Sequence, residues 1–232
     1  MTQSYGYSQD RLATMEGAFI RRVYNWMIVG LAVTGLVAYM VSHNDGILKL
    51  IYGSQIIFFG LIMAELALVF ILSARIGKMS ASTAGTMFIV YSLLNGLTLS
   101  FVFLVYTKST ISSAFFVTAG TFGAMSVFGY TTKRDLTSWG SFLFMGLIGI
   151  IIASVVNIFF HSELVEWMIT YVGVLVFVGL TAYDTQNLKA IGRAGFSGAE
   201  GESKAAIIGS LRLYLDFINL FLMILRIFGR RS

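Results

Sequence analysis

Apolar residues fill the chain in long runs broken by brief polar interruptions, a pattern that predicts helices crossing a bilayer. A span needs about 20 mostly apolar residues. Hydropathy read in windows gives seven such runs, at residues 23–42, 51–72, 84–106, 111–130, 140–160, 165–188 and 211–228. The expected fold class is an all-α integral membrane protein, a seven-transmembrane helical bundle. Residues 1–22 read as an N-terminal tail and 23–232 as one membrane domain. The first run is span-length, follows Asp10 and Glu16, and ends without a small-x-small cleavage site, so it reads as a retained helix and not a signal peptide.

The connections are short except for residues 189–210, rich in glycine and polar residues and read as a flexible linker. Its glycines (Gly192, Gly195, Gly198, Gly201) follow no strand and precede no GK[ST], so they do not form a phosphate loop. Lys and Arg orient the bundle. Arg11, Arg21 and Arg22 precede the first span, and Arg75, Lys78, Lys133, Arg134, Lys189, Arg193 and Lys204 fall in the even loops. The odd loops hold only Lys49 and Lys108, which predicts a cytoplasmic N-terminus. Seven full spans then leave Arg226, Arg230 and Arg231 outside, against that rule, whereas a re-entrant last segment returns them inside. The length of the last run favours seven spans. Gly149 with Ala153, and Gly120, Gly123 and Ala124, are expected to pack helices closely.

Composition narrows the function. Hydrophobic residues make up 57% and charged residues 12%, about half the ordinary charged share. With no cysteine, disulfides, thiolate metal sites and cysteine nucleophiles are excluded; with no proline, no span has a proline kink. The net charge of +5 sits one to three residues at a time at span ends, so no nucleic-acid partner is expected. His43 and His161 fall in separate loops and read as interfacial residues.

Ionisable groups inside spans are costly and normally face the bundle interior. Three acids qualify: Glu65, Asp184 and Asp216. In the last span Arg212, Asp216, Asn219, Met223 and Arg226 recur at spacings of 4, 3, 4 and 3, which makes one polar face. Such a helix is expected to sit centrally, although Arg212 and Asp216 also suit a simple i,i+4 neutralising pair. Asp184 lies four residues before the end of its span, ~6 Å deep at ~1.5 Å per residue. Arg212 snorkels toward the same interface and leaves Asp216 one turn deeper. Two carboxylates at similar depth hold one proton between them more cheaply than two charges, so the pair suits a pH-sensitive gate. Glu65, 14 residues into the second span, reads either as a cation waypoint or as a hydrogen-bonded neutral acid. Arg75 reads either as a latch on Asp184 or as a positive-inside anchor.

The stretch Ala182-Tyr183-Asp184-Thr185-Gln186, with Leu213-Tyr214-Leu215-Asp216-Phe217-Ile218-Asn219-Leu220-Phe221, resembles the paired signature of the Bax inhibitor family. The closing Leu225-Arg226-Ile227-Phe228-Gly229-Arg230-Arg231 is similar to bacterial members. The resemblance covers nearly the whole chain. It implies seven helices with the last enclosed by the other six, in a bacterial inner membrane. It also implies a pH-sensitive calcium leak with Asp184 and Asp216 as sensor and gate. By approximate spacing Arg75 matches the family's latch and Glu65 its second-helix acid, with Arg212 a further latch candidate and Asn219 a further point on the ion path. Calcium is then the permeant ion, held transiently by Asp184, Asp216 and Glu65, and no tightly bound cofactor is expected. The linker is longer than in compact relatives, and no long charged C-terminal tail follows, so cell-death regulation does not transfer.

Other classes compete. A non-conducting regulator would use the small-residue faces to bind other membrane proteins, such as a membrane protease, which bacterial relatives resemble partners of. An intramembrane aspartyl protease fits Tyr183-Asp184, but Leu213-Tyr214-Leu215-Asp216 stands where Gly-x-Gly-Asp belongs and the chain lacks that family's proline motif. No lysine follows Lys204, which excludes a retinal Schiff base in the last span.

Overall fold

The computed structural model describes residues 3–229. Every regular element among them is helical: α1 Gln3–Ser42, α2 Asp45–Tyr52, α3 Gln55–Arg75, a 3-10 turn Ile76–Lys78, α4 Ala81–Leu99, α5 Val102–Val105, α6 Lys108–Thr131, α7 Thr137–Phe160, α8 Glu163–Ala194 and α9 Gly198–Phe228. Seven stretches are long and apolar enough to cross a membrane, with α4 and α5 counted as one. The chain is an all-α integral membrane protein, as its hydropathy predicts. Burial sorts the spans. Only 6% of the α3 window and 11% of the α7 window is buried, against 56% for α9. Ile56 and Phe70 on α3 and Phe159 on α7 are largely exposed, as side chains that meet lipid must be. The last helix is the most enclosed of the seven.

Three expectations change. First, 189–210 is not a flexible linker: α8 runs on to Ala194 and α9 begins at Gly198. Only Gly195–Ser197 separates them, and Gly195 and Gly198 take φ of +79° and +88°, where a side chain is strained. Gly192 and Gly201 stay helical, so two of the four glycines carry the elbow. Second, α1 is unbroken through residues 13–22, so that part of the expected tail is helix continuous with the first span. Arg230 and Arg231, and the side chain of Arg11, lie outside what is described.

Third, the expected packing glycines are the wrong ones. A Cβ at Gly120, Gly123 or Gly149 would meet nothing within 4 Å. Close approach occurs elsewhere. A Cβ on Gly129 would fall 2.2 Å from the Ala182 carbonyl oxygen, and one on Gly140 would fall 2.3 Å from the Tyr183 ring.

The third span is interrupted without proline. Ser100 Oγ donates back to the Leu97 carbonyl at 2.7 Å, between the end of α4 and the start of α5. From α2, Tyr52 Oη lies 3.0 Å from the Thr98 carbonyl and accepts the Phe101 N–H at 3.1 Å. These groups satisfy backbone that the break would otherwise leave unpaired in lipid.

The chain divides into two compact units, Met1–Thr107 with Ile191–Tyr214, and Lys108–Ala190 with Leu215–Ser232. In the first, α1 and α3 both pack on α4, and Gly96 lets α4 approach Thr34 and Val37 of α1. In the second, α8 meets α6 at Gly129 and α7 at Gly140 and Gly179, and Gly173 of α8 seats Met223 of α9.

Candidate functional site

In the first unit the polar residues form a ladder on one side of α4. Tyr91, Asn95 and Thr98 follow at spacings of 4 and 3, so they share a face, and all three are buried. Glu65 reaches them from α3. Its Oε1 accepts from Thr98 Oγ1 at 2.8 Å, and its Oε2 lies 3.5 Å from Asn95 Nδ2. Asn95 Nδ2 also donates to Tyr91 Oη at 3.3 Å. This orientation leaves Asn95 Oδ1 buried and without a hydrogen-bond partner among the described residues.

The ladder continues by ring contact. Tyr91 and Tyr214 meet edge-on with centroids 5.6 Å apart, and Phe88 meets Tyr214 likewise at 5.8 Å. Thr34 Oγ1 donates to the Ser92 carbonyl at 2.9 Å, which commits its hydrogen. Tyr214 Oη is therefore the donor in its 2.6 Å bond to Thr34. Sequence reading found Glu65 and missed Tyr91, Asn95, Thr98 and Thr34. The signal was present as polar residues at helical spacing in an apolar run.

Asp184 and Asp216 both belong to the second unit. Asp184 is half-buried on α8 and Asp216 is buried, 4% exposed, on α9. Both residues take part in further interactions within the fold. Their levels cannot be counted from the span ends read in the sequence, because α8 runs ten residues past Asp184 and α9 begins eighteen before Asp216.

The neighbours of Asp184 are fixed closely. Ala182 and Tyr183 press on Gly129 and Gly140. Gln186 bridges the α6–α7 loop: its Oε1 accepts the Leu136 N–H at 2.9 Å, and its Nε2 donates to the Arg134 carbonyl at 2.8 Å. Lys189 Nζ donates to the Tyr130 carbonyl and stands 4.7 Å over that ring. In the same loop Asp135 accepts from Thr137 Oγ1 at 2.6 Å and from the Thr137 N–H at 2.9 Å. Both donors hold the Asp135 carboxyl below the usual range, the hydroxyl more than the amide.

Arg75 and Arg212 are exposed. The expected polar stripe of α9 is therefore uneven, with Arg212 and Arg226 exposed at its ends, Asp216 buried, and Asn219 and Met223 half-buried. Asn219 Nδ2 donates to the Leu215 carbonyl of its own helix at 2.8 Å. Arg226 pairs with Glu166 at 3.6 Å and donates to Thr170 Oγ1 at 3.4 Å. No group of three or more His, Asp or Glu side chains able to hold a metal ion occurs among the described residues.

Seven apolar helices carrying half-buried and buried acids define a polytopic membrane protein with polar residues within its spans. The family profile described as "Inhibitor of apoptosis-promoting Bax1" matches residues 16–232, and the chain belongs to this Bax inhibitor family. "Inner membrane protein YbhL" of Escherichia coli K12 is 53% identical over 214 residues, 92% of each chain. An uncharacterized protein of Borreliella burgdorferi is 44% identical over 94% of each chain. One of Deinococcus radiodurans is 41% identical over 99% of this chain and 98% of its own.

Proposed function

We propose that this protein is a pH-sensitive, calcium-permeable leak channel of a bacterial inner membrane, with its N-terminus in the cytoplasm. The observation that carries the reading is Asp216, an acid buried on the most enclosed span and in the same compact unit as Asp184. Ionised groups in spans are retained where they do work. The two aspartates act as sensor and gate, sharing a proton when closed and repelling one another when it leaves. Arg75 and Arg212, both exposed, serve as latches that compete for the aspartates. Glu65 is the waypoint on the path. Buried Asn95 Oδ1 beside it is an unfilled acceptor that a passing cation or water would satisfy. Asn219 lies farther along, and calcium passes without a resident cage, as hard-cation chemistry with carboxylate oxygens permits.

The test is calcium flux into indicator-loaded proteoliposomes across a pH titration. The reading expects flux whose pH dependence is lost in Asp184→Asn and in Asp216→Asn. Unchanged flux and an unchanged pH profile in both variants sink it.

A second reading is favoured by the open glycines. Gly120 and Gly123 on α6 and Gly149 on α7 leave helix surfaces that another membrane protein's helix can approach closely. A non-conducting regulator of, for example, a membrane protease would use them. Crosslinking at these positions to a partner span, with no flux at any pH, favours this alternative.

A further inference from the structure

The elbow between α8 and α9 is gripped by α1 in a way that neither reading above requires. Glu16, Phe19 and Arg22 stand three residues apart on α1 and so lie along one face. Each engages a different part of the elbow. Glu16 Oε2 meets Arg193 Nε of α8 at 2.5 Å. Phe19, fully buried, meets the Phe196 ring inside the elbow at a tilt of 43°, with centroids 4.8 Å apart. Arg22 pairs with Glu202 of α9 at 3.4 Å and donates to Ser203 Oγ at 3.2 Å.

Gly192 makes the grip possible. A Cβ there would lie 3.1 Å from Phe19 and 3.4 Å from the Glu16 Cα. Across from α1, Lys204 Nζ donates to the Met79 carbonyl that follows the 3-10 turn, at 3.1 Å. The elbow itself is only three residues long and turns on two left-handed glycines, so a displacement of either arm is passed to the other. The Glu16 side chain is 5% exposed while Arg193 is 61% exposed. Withdrawing the arginine strands a nearly dehydrated carboxylate, which makes the contact behave as engaged or released with little in between.

We propose that the N-terminal part of α1 is an internal lock on the α8–α9 elbow, and that its release is what frees α9 to move. The lock holds through one ion pair on a buried carboxylate, one tilted ring contact and one ion pair whose partners are both part-exposed. The Arg22–Glu202 pair weakens with salt, whereas the ring contact resists it.

The test is hydrogen exchange of the full chain in nanodiscs, followed over residues 192–204 and compared with α4. Glu16→Gln removes the buried charge, Gly192→Leu wedges α1 away with every charge kept, and Glu202→Gln removes only the Arg22–Glu202 pair. The lock expects exchange over 192–204 to rise about tenfold or more in the first two variants and less in the third, with α4 unchanged. Combining Glu16→Arg with Arg193→Glu restores slow exchange. Unchanged exchange over 192–204 in both Glu16→Gln and Gly192→Leu overturns the proposal, as does faster exchange spread equally over α4. Flux on the same samples separates this idea from the channel reading. Faster exchange with no flux in any sample supports the lock and removes the channel.

Discussion

Glu65 reaches from α3 to Thr98 and Asn95 on α4, and both donors are side chains; Asp184 sits on a stretch of α8 whose neighbours press on the backbones of Gly129 and Gly140. The first arrangement is a polar cluster within an apolar unit. It can be rearranged by turning an amide or a hydroxyl, a cheap local motion. The second is a seam in which the Ala182 backbone and the Tyr183 ring press on glycines, closed by Gln186 across the α6–α7 loop. At Gly129 the contact is backbone to backbone, with no soft torsion to yield. An acid placed in the first setting can change partners, whereas one placed in the second is held to a fixed wall.

The contrast is broken most forcefully at Gly129. Replacing it with leucine drives a side chain into the Ala182 carbonyl and is expected to cost on the order of 3 kcal/mol. Gly123→Leu on the same helix points into open space and should cost less than about 0.5 kcal/mol. Equal losses in detergent-unfolding titrations of the two would dissolve the distinction between seam and surface.

Next in size is Glu65→Leu, which takes from Asn95 Nδ2 its carboxylate partner and is expected to cost about 1–3 kcal/mol. Glu65→Gln keeps an acceptor and should recover most of that loss in the same titration. Smaller still, Gln186→Ala removes two bonds that water can partly replace, for about 1 kcal/mol. Its sign is faster amide exchange at Leu136 without a change in the Glu65 cluster.

The smallest effect is at exposed Asp135. Its carboxyl is held lower in the folded chain than in the unfolded one, so its contribution is complete above the ordinary aspartate range of about 4. That contribution disappears as pH falls through the lowered value. Asp135→Ala should therefore lower the melting temperature slightly at pH near 7 and make no difference at pH near 2.

Much of this was legible before any coordinates. Lipid demands apolar surface along a whole span, and α3 (Glu65 apart) and α7 are apolar on nearly every face, so hydropathy located them without help. The same demand hid the interior. When inside and outside are both apolar, period no longer tells which face is buried. Gly129 and Gly123 are the same letter six residues apart on α6, yet one is a contact and the other is open. The α8–α9 elbow was misjudged for a related reason. Its glycines suggested a loop, but Gly192 and Gly201 stay within helices, and only Gly195 and Gly198 take a positive φ. Asp184 and Asp216 stood out because charge in a span is rare. Asn95 and Thr98 did not, because neutral polar groups cost less there and carry no such flag.

The burial of α9 has a consequence for how the protein is made. A ribosome delivers this helix after the other six spans, yet residues from it complete both compact units. Until it emerges, Thr34 and Phe88 lack Tyr214, and Phe122 lacks Phe217, whose rings otherwise lie 5.4 Å apart. The nascent chain must therefore wait in the bilayer with these contacts unmade, shielded by lipid or by the insertion machinery. Synonymous codon changes that slow translation between Ala194 and Gly198 would lengthen that exposed interval, and quality-control proteases would be the first to notice.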